Sequence, residues 1–189
     1  MTGRDIIKNL HEGRRVFSSA VVNTSPLWPN LVRQAGVDFV FIDTEHTPID
    51  RNTLAWMCQT YQAMGIPPVV RIPCNNPFDA CKALDAGAGG IIGPYLETPV
   101  QVRGLAGAVK WRPLKGRRLE DALRDINTLQ PELRDYLEKR NGDKIFIANI
   151  ESVPAIERLH EICSVPGLDA VLIGPHDLSC SLGIPEQYT

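Results

Sequence analysis

No run of about eighteen apolar residues occurs in the chain, so no segment reads as a membrane span. The first twenty residues carry Arg4, Asp5, Lys8, Glu12, Arg14 and Arg15, which leaves no apolar core for a signal peptide; the expected compartment is the cytoplasm. An excess of one charge is missing too. Twenty basic side chains face 22 acidic ones, for a net charge of −2, and this balance argues against nucleic acid or an anionic membrane as partner and for a small molecule. Cys58, Cys74, Cys81, Cys163 and Cys180 are odd in number and form no C-x-x-C pair, so they fit reduced, buried thiols better than a disulfide framework or a zinc knuckle. No G-x-G-x-x-G follows an early apolar run, which weakens a dinucleotide-binding reading.

What is present is a repeat of two textures. Short β-branched runs recur at 16–22, 37–43, 67–73, 89–95, 144–151 and 168–174, and their apolar residues are nearly continuous, as in parallel strands covered on both faces. Amphipathic stretches at 28–35, 50–64, 77–86, 98–110 and 153–163 separate them. In the second of these, Leu54, Met57, Cys58 and Tyr61 fall at i, i+3, i+4 and i+7. Asp50 is placed to cap that helix, and Gly36, Gly65 and Gly87 follow helix ends where a left-handed residue is needed. Repeated βα units predict either a doubly wound sheet or a TIM barrel in a single domain over residues 1–189. The charged stretch 111–143 interrupts the rhythm and is expected to be an insertion on a βα loop.

The polar residues at strand ends are unevenly placed. Asp43, Glu45 and His46 follow the second strand, Arg71 closes the third, Glu151 the fifth, and His176 and Asp177 follow the sixth; the opposite ends offer mainly Asp38, Lys144 and Asp169. In a parallel barrel all carboxyl ends open on one face, so the first group is expected to converge. Glu151 and Asp177 supply oxygen donors suited to a hard divalent cation, or else they cap the helices that follow. Arg71, in an apolar strand, requires an anion: either Asp43 or a substrate carboxylate or oxyanion. His46 is either a structurally satisfied histidine or a general base. None of the six lysines ends an expected strand at its carboxyl side, which disfavours Schiff-base chemistry and leaves carbonyl activation to a metal.

Five stretches carry a resemblance: DTEHTP at 43–48, PPVVRIP at 67–73, ALDAGAGGIIGP at 83–94, NIESVPAIERLHEI at 149–162 and GLDAVLIGPHDLSCSLGIP at 167–185. Together they are similar to the HpcH/HpaI aldolases, metal-dependent class II pyruvate aldolases. That resemblance implies a TIM (β/α)8 barrel of the phosphoenolpyruvate/pyruvate type, a homo-oligomer, commonly a hexamer, and cleavage of a 4-hydroxy-2-oxo acid to pyruvate, or a related 2-oxo acid, and an aldehyde. By the same resemblance Glu151 and Asp177 hold a divalent metal (Mg²⁺, Mn²⁺ or Co²⁺), His46 is the base, Arg71 stabilises the transition state and Asp85 raises the basicity of the histidine. Substrate contacts come from Asn149 and the backbone of His176 and Asp177.

Asn149 stands where many members have Gln, His176 where they have a small residue, and the loop KWRPLKGRR replaces a glycine-rich Arg-Gly sequence. Asp85 is expected on the rim opposite its own His46, so its partner would belong to another subunit. Only six strands can be counted, and the chain is expected to lack the last two of the barrel. Two further readings follow from the same residues: decarboxylation of an oxaloacetate-type acid, or a non-catalytic binding or assembly subunit. The cluster Lys110, Arg112, Lys115, Arg117 and Arg118 is read as a solvated loop, not a nucleic-acid surface.

Overall fold

The structure, a computed structural model, describes residues 1–188. Six strands, β1 (Ser18–Val21), β2 (Phe39–Asp43), β3 (Pro68–Arg71), β4 (Gly90–Gly93), β5 (Ile145–Ile150) and β6 (Ala170–Ile173), pair in parallel in that order and curl into a half-barrel of the TIM type. Helix α1 (Gly3–His11) precedes them. Helices α2 (Trp28–Ala35), α3 (Arg51–Ala63), α4 (Pro77–Asp85) and α5 (Pro99–Lys110) follow the first four strands in turn. Each of the six expected strands and the first four expected helices between them is found within a residue or two of its predicted bounds.

Local chemistry fixes several of these bounds. Asp50 accepts from the backbone N–H groups of Asn52 and Thr53 and so starts α3. Thr98 and Gln101 form a reciprocal capping box on α5. Gly36, at φ 71°, closes α2 in the left-handed conformation that side chains resist.

Side chains alternate across a strand, and that alternation separates two layers. Val40, Ile42, Val70, Ile91, Phe146, Ala148 and Ile150 face the helices in the larger core. Phe39, Val69, Ile92, Ile145 and Ile147 face the concave side, where Ile6 of α1 plugs the bottom. Each fully buried aliphatic side chain contributes roughly 1.5–3 kcal/mol. Continuing the inner parity upward gives Asp43 above Phe39 and Phe41, Arg71 above Val69, and Asn149 and Glu151 above Ile145 and Ile147. The polar site is therefore the top of the same column whose base is apolar.

Three expectations are corrected. Coverage on both faces holds for the central strands, but the edge strand β6 leaves Val171, Leu172 and Ile173 exposed, because no neighbour lies beyond it in the sheet. The segment after residue 111 is not on a βα loop. Helix α5 first returns the chain to the amino-terminal rim, and α6 (Gly116–Arg124), a 3₁₀ turn (Ile126–Thr128) and α7 (Pro131–Asn141) then build a small core of Ala122, Leu129 and Leu137 there. All five cysteines are free thiols, yet only Cys58 is fully buried, its pKa pushed up to about 12 by that burial. The stretch 153–163 is helical but kinks at Arg158, between α8 (Val153–Glu157) and α9 (Leu159–Cys163); the last helix, α10, spans Pro175–Ser181.

Candidate active site

The register of β2 on β3 sets Asp43 beside Arg71. Arg71 Nε and Nη2 donate to the two Asp43 carboxylate oxygens at 2.9 and 2.7 Å, a bidentate pair that fixes the plane of the guanidinium. Burial works against the Asp43 charge, but the bonds from Arg71 and from the backbone N–H groups of Glu45 and His46 outweigh it and hold the carboxyl below its usual value. Among the described residues Nη1 of Arg71 donates to no protein group, so one side of the fork remains for a ligand. Asp43 thus satisfies most of Arg71 without exhausting it.

Glu45 joins this pair to the histidine. Its Oε2 lies 3.2 Å from Arg71 Nε and 3.7 Å from His46 Nε2, but it is buried without a hydrogen-bond donor. Burial raises the Glu45 pKa; Arg71 and His46 counter the rise, while the charges of Glu151 and Asp43 add to it. His46 itself stands out in solvent, with its side chain 64% exposed.

Glu151 leaves the end of β5 only 3% exposed. It does not cap the helix that follows; Ser152 does, accepting from the Ala155 N–H. The Glu151 carboxylate instead accepts from the Tyr95 backbone N–H at 2.8 Å and from Asn149 Nδ2 at 2.7 Å. Tyr95 holds a positive φ of 49°, a conformation costing on the order of 1 kcal/mol for a bulky residue, and this bond is its evident compensation. Asn149 is 1% exposed and its Oδ1 has no partner. Gly174, bonded to the Ile150 carbonyl at the end of β6, lies so near that a Cβ there would come within 2.4 Å of Glu151 Oε1. The backbone of residue 174 is thus packed against the acid, and α10, with Asp177 in its first turn, starts beside it.

By donor chemistry the carboxylates of Glu151 and Asp177 suit a hard cation, and unpartnered oxygens of Glu45 and Asn149 lie on the same rim. No three His, Cys, Asp or Glu side chains converge as a ready-made cage among the described residues, so the remaining positions would fall to water and ligand oxygens. Asp177 is exposed, as is His176, whose Nδ1 lies 3.5 Å from the Tyr188 hydroxyl.

A family model described as HpcH/HpaI aldolase/citrate lyase matches residues 22–189. The chain belongs to this family. It is 35% identical over 176 residues to a hydroxypyruvate/pyruvate aldolase of Rhizorhabdus wittichii, covering 92% of this chain and 67% of that one. It is 32% identical to a 4-hydroxy-2-oxo-heptane-1,7-dioate aldolase of Shigella sonnei, covering 81% of this chain and 58% of that protein. The crystal structure of citrate synthase SbnG superposes with a TM-score of 0.79 at 34% identity, over 96% of this chain and 70% of that one. The chain thus spans about three-fifths to two-thirds of the length of the curated relatives named here.

Within this family member one predicted site residue stands apart. Asp85 ends α4 on the amino-terminal rim, 74% exposed, and pairs with Arg112 Nη1 at 2.8 Å, so it does not meet the His46 of its own chain. His46, Arg71, Asn149, Glu151, His176 and Asp177 all lie on the carboxyl rim. The sequence marks Glu45 only as one of the polar residues expected to converge on this rim, and it does not mark Tyr95 or Gly174 as site residues. Gly174 carries a legible signal, a glycine at a strand end where another group must approach closely; nothing local marks Tyr95.

Proposed function

We propose that this rim is the site of a divalent-metal-dependent aldolase that cleaves a 4-hydroxy-2-oxo acid to pyruvate, or a related 2-oxo acid, and an aldehyde. One observation carries the reading: a buried carboxylate, Glu151, lies against a side-chain-free backbone beside acceptor oxygens that lack donors. A stable fold seldom leaves such atoms unsatisfied unless a ligand or ion completes them. The names of the family relatives point to the same chemistry.

Glu151 and Asp177 would hold the cation, whose contribution is Lewis-acid polarisation of the 2-oxo group. His46 would take the proton from the 4-hydroxyl, with Glu45 beside it to offset the imidazolium charge. Arg71, held in plane by Asp43, would turn its free Nη1 toward the oxygen on which negative charge develops. Asn149 Oδ1 would accept from a substrate hydroxyl or a bound water. The homo-oligomer belongs to the same proposal, because Asp85 could reach a His46 only in another copy.

Metal-stripped protein given a panel of 4-hydroxy-2-oxo acids should release pyruvate only after Mg²⁺, Mn²⁺ or Co²⁺ is restored, and Glu151→Gln should abolish that release. Undiminished turnover in excess chelator would rule the mechanism out.

A further inference from the structure

At the opposite end of β5 and β6, helices α1 and α7, the end of α5 and the turn before β6 line an open cleft of about 580 Å³. That is within the range of small-molecule sites. Its walls divide by chemistry. Ile7, Trp111, Ile126 and Leu137 are apolar; four cations, Arg4, Lys8, Lys110 and Arg134, face it against two carboxylates. Both carboxylates are already engaged, Glu138 by Arg4 at 2.7 Å and Asp169 by Lys110 at 2.6 Å. Lys8 and Arg134 have no carboxylate within ion-pair reach among the described residues, and Arg134 donates only to the neutral Asn127 Oδ1, at 2.9 Å. The cavity therefore keeps two positive charges in excess.

The indole is held as a fixed wall. Gly167, at φ +89°, has no side chain where a Cβ would come 2.8 Å from Trp111 Cζ3 and 2.9 Å from Cη2, so the ring packs directly on the backbone. An aromatic plane, aliphatic surface and two uncompensated cations in one cleft match a ligand with a flat apolar body and an acid group. A bare inorganic anion would satisfy the cations but leave the apolar walls wet.

We propose that this cavity binds a small planar aromatic anion, its ring against Trp111 and its acid group held by Lys8 and Arg134. The site is separate from the proposed aldolase site and does not depend on it.

Naphthalene-2-carboxylate is a suitable probe. In protein carrying Trp28→Phe and Trp56→Phe, Trp111 is the sole remaining tryptophan, and titration should quench its fluorescence saturably. Lys8→Gln and Arg134→Gln, both on solvent-accessible side chains and so expected to fold with an unchanged thermal midpoint, should each weaken binding about tenfold or more. Glu151→Gln should leave it unchanged, which separates failure of this site from failure of the aldolase reading. Non-saturable quenching, affinity unchanged from the parent in both charge variants, or displacement by inorganic phosphate as effective as by benzoate would each overturn the proposal.

Discussion

The two rims of the sheet carry similar residues in opposite conditions. At the amino-terminal rim Asp38 accepts from the Phe17 backbone N–H at 2.8 Å, and Asp169 accepts from the Phe146 N–H at 2.8 Å and from Lys110 Nζ at 2.6 Å. Each acid ties the start of one strand to its neighbour, and neither leaves a buried oxygen without a partner among the described residues. At the carboxyl rim Asp43 is paired, but Glu45 and Asn149 keep buried oxygens without donors. The contrast teaches that a polar residue at a strand end is weak evidence of function until its bonds are counted. Orphaned acceptors at the carboxyl rim are the kind of group that an ion or ligand completes.

The largest effect on stability is expected at the amino-terminal rim. Asp169→Ala leaves Lys110 nearly buried without its partner and the Phe146 N–H without an acceptor. Removing one member of such a pair costs about 3–5 kcal/mol. Urea unfolding should show that loss, while turnover per folded molecule stays near that of the parent. A stable variant with failed catalysis would mean the rims are not divided as described.

Next is Gly174→Ala. The backbone at residue 174, with φ −92°, tolerates a side chain, so the substitution tests only the space beside Glu151. Displacing a catalytic carboxylate by about 1 Å can cost roughly 100-fold in rate. Pyruvate release should fall by that order, and the unfolding free energy should drop by no more than the overpacking cost of about 1–3 kcal/mol. An unchanged rate would remove Glu151 from the chemistry.

A smaller effect separates the two acids on one rim by pH. The Asp43 pKa is lowered in the fold, so its stabilisation is present above the unfolded value and fades as pH falls through the folded one. The Glu45 pKa is raised, so its ionisation costs stability as pH rises from the unfolded value through the folded one. Glu45→Gln should therefore raise the thermal midpoint of metal-free protein at pH 7 and leave it unchanged near pH 4. A lower midpoint at pH 7 would show that the Arg71 pairing outweighs burial.

Much of this was legible in the sequence, for identifiable reasons. Continuous apolar runs located the strands because parallel strands are covered on both faces, and caps such as Asp50 fixed helix starts. The grouping of His46, Arg71, Glu151 and Asp177 followed from topology alone, since every carboxyl end opens on one side. Two kinds of fact were out of reach. Which oxygens are orphaned depends on distances between strands, and the Tyr95 N–H reaching Glu151 joins residues 56 positions apart. The placement of 111–143 failed for another reason: a broken rhythm marks an excursion, but its rim is set by whether it begins before or after the helix.

The smallest effect on stability is expected at Asp85, and it bears most on how the rims cooperate. The Asp85 side chain is largely in solvent, so its pair with Arg112 contributes about 1 kcal/mol at most. Asp85→Ala should shift the unfolding midpoint little. Within one chain it should also leave catalysis untouched, because Asp85 and His46 lie at opposite ends of the strands. A loss of pyruvate release in this variant must therefore come through a second copy that brings its Asp85 to this His46. Parent activity per protomer should then fall on dilution below the dissociation constant of the oligomer, and the variant's residual activity should not. If the variant is fully active, or parent activity is independent of concentration down to the monomer, each chain works alone and the amino-terminal rim is structural for catalysis.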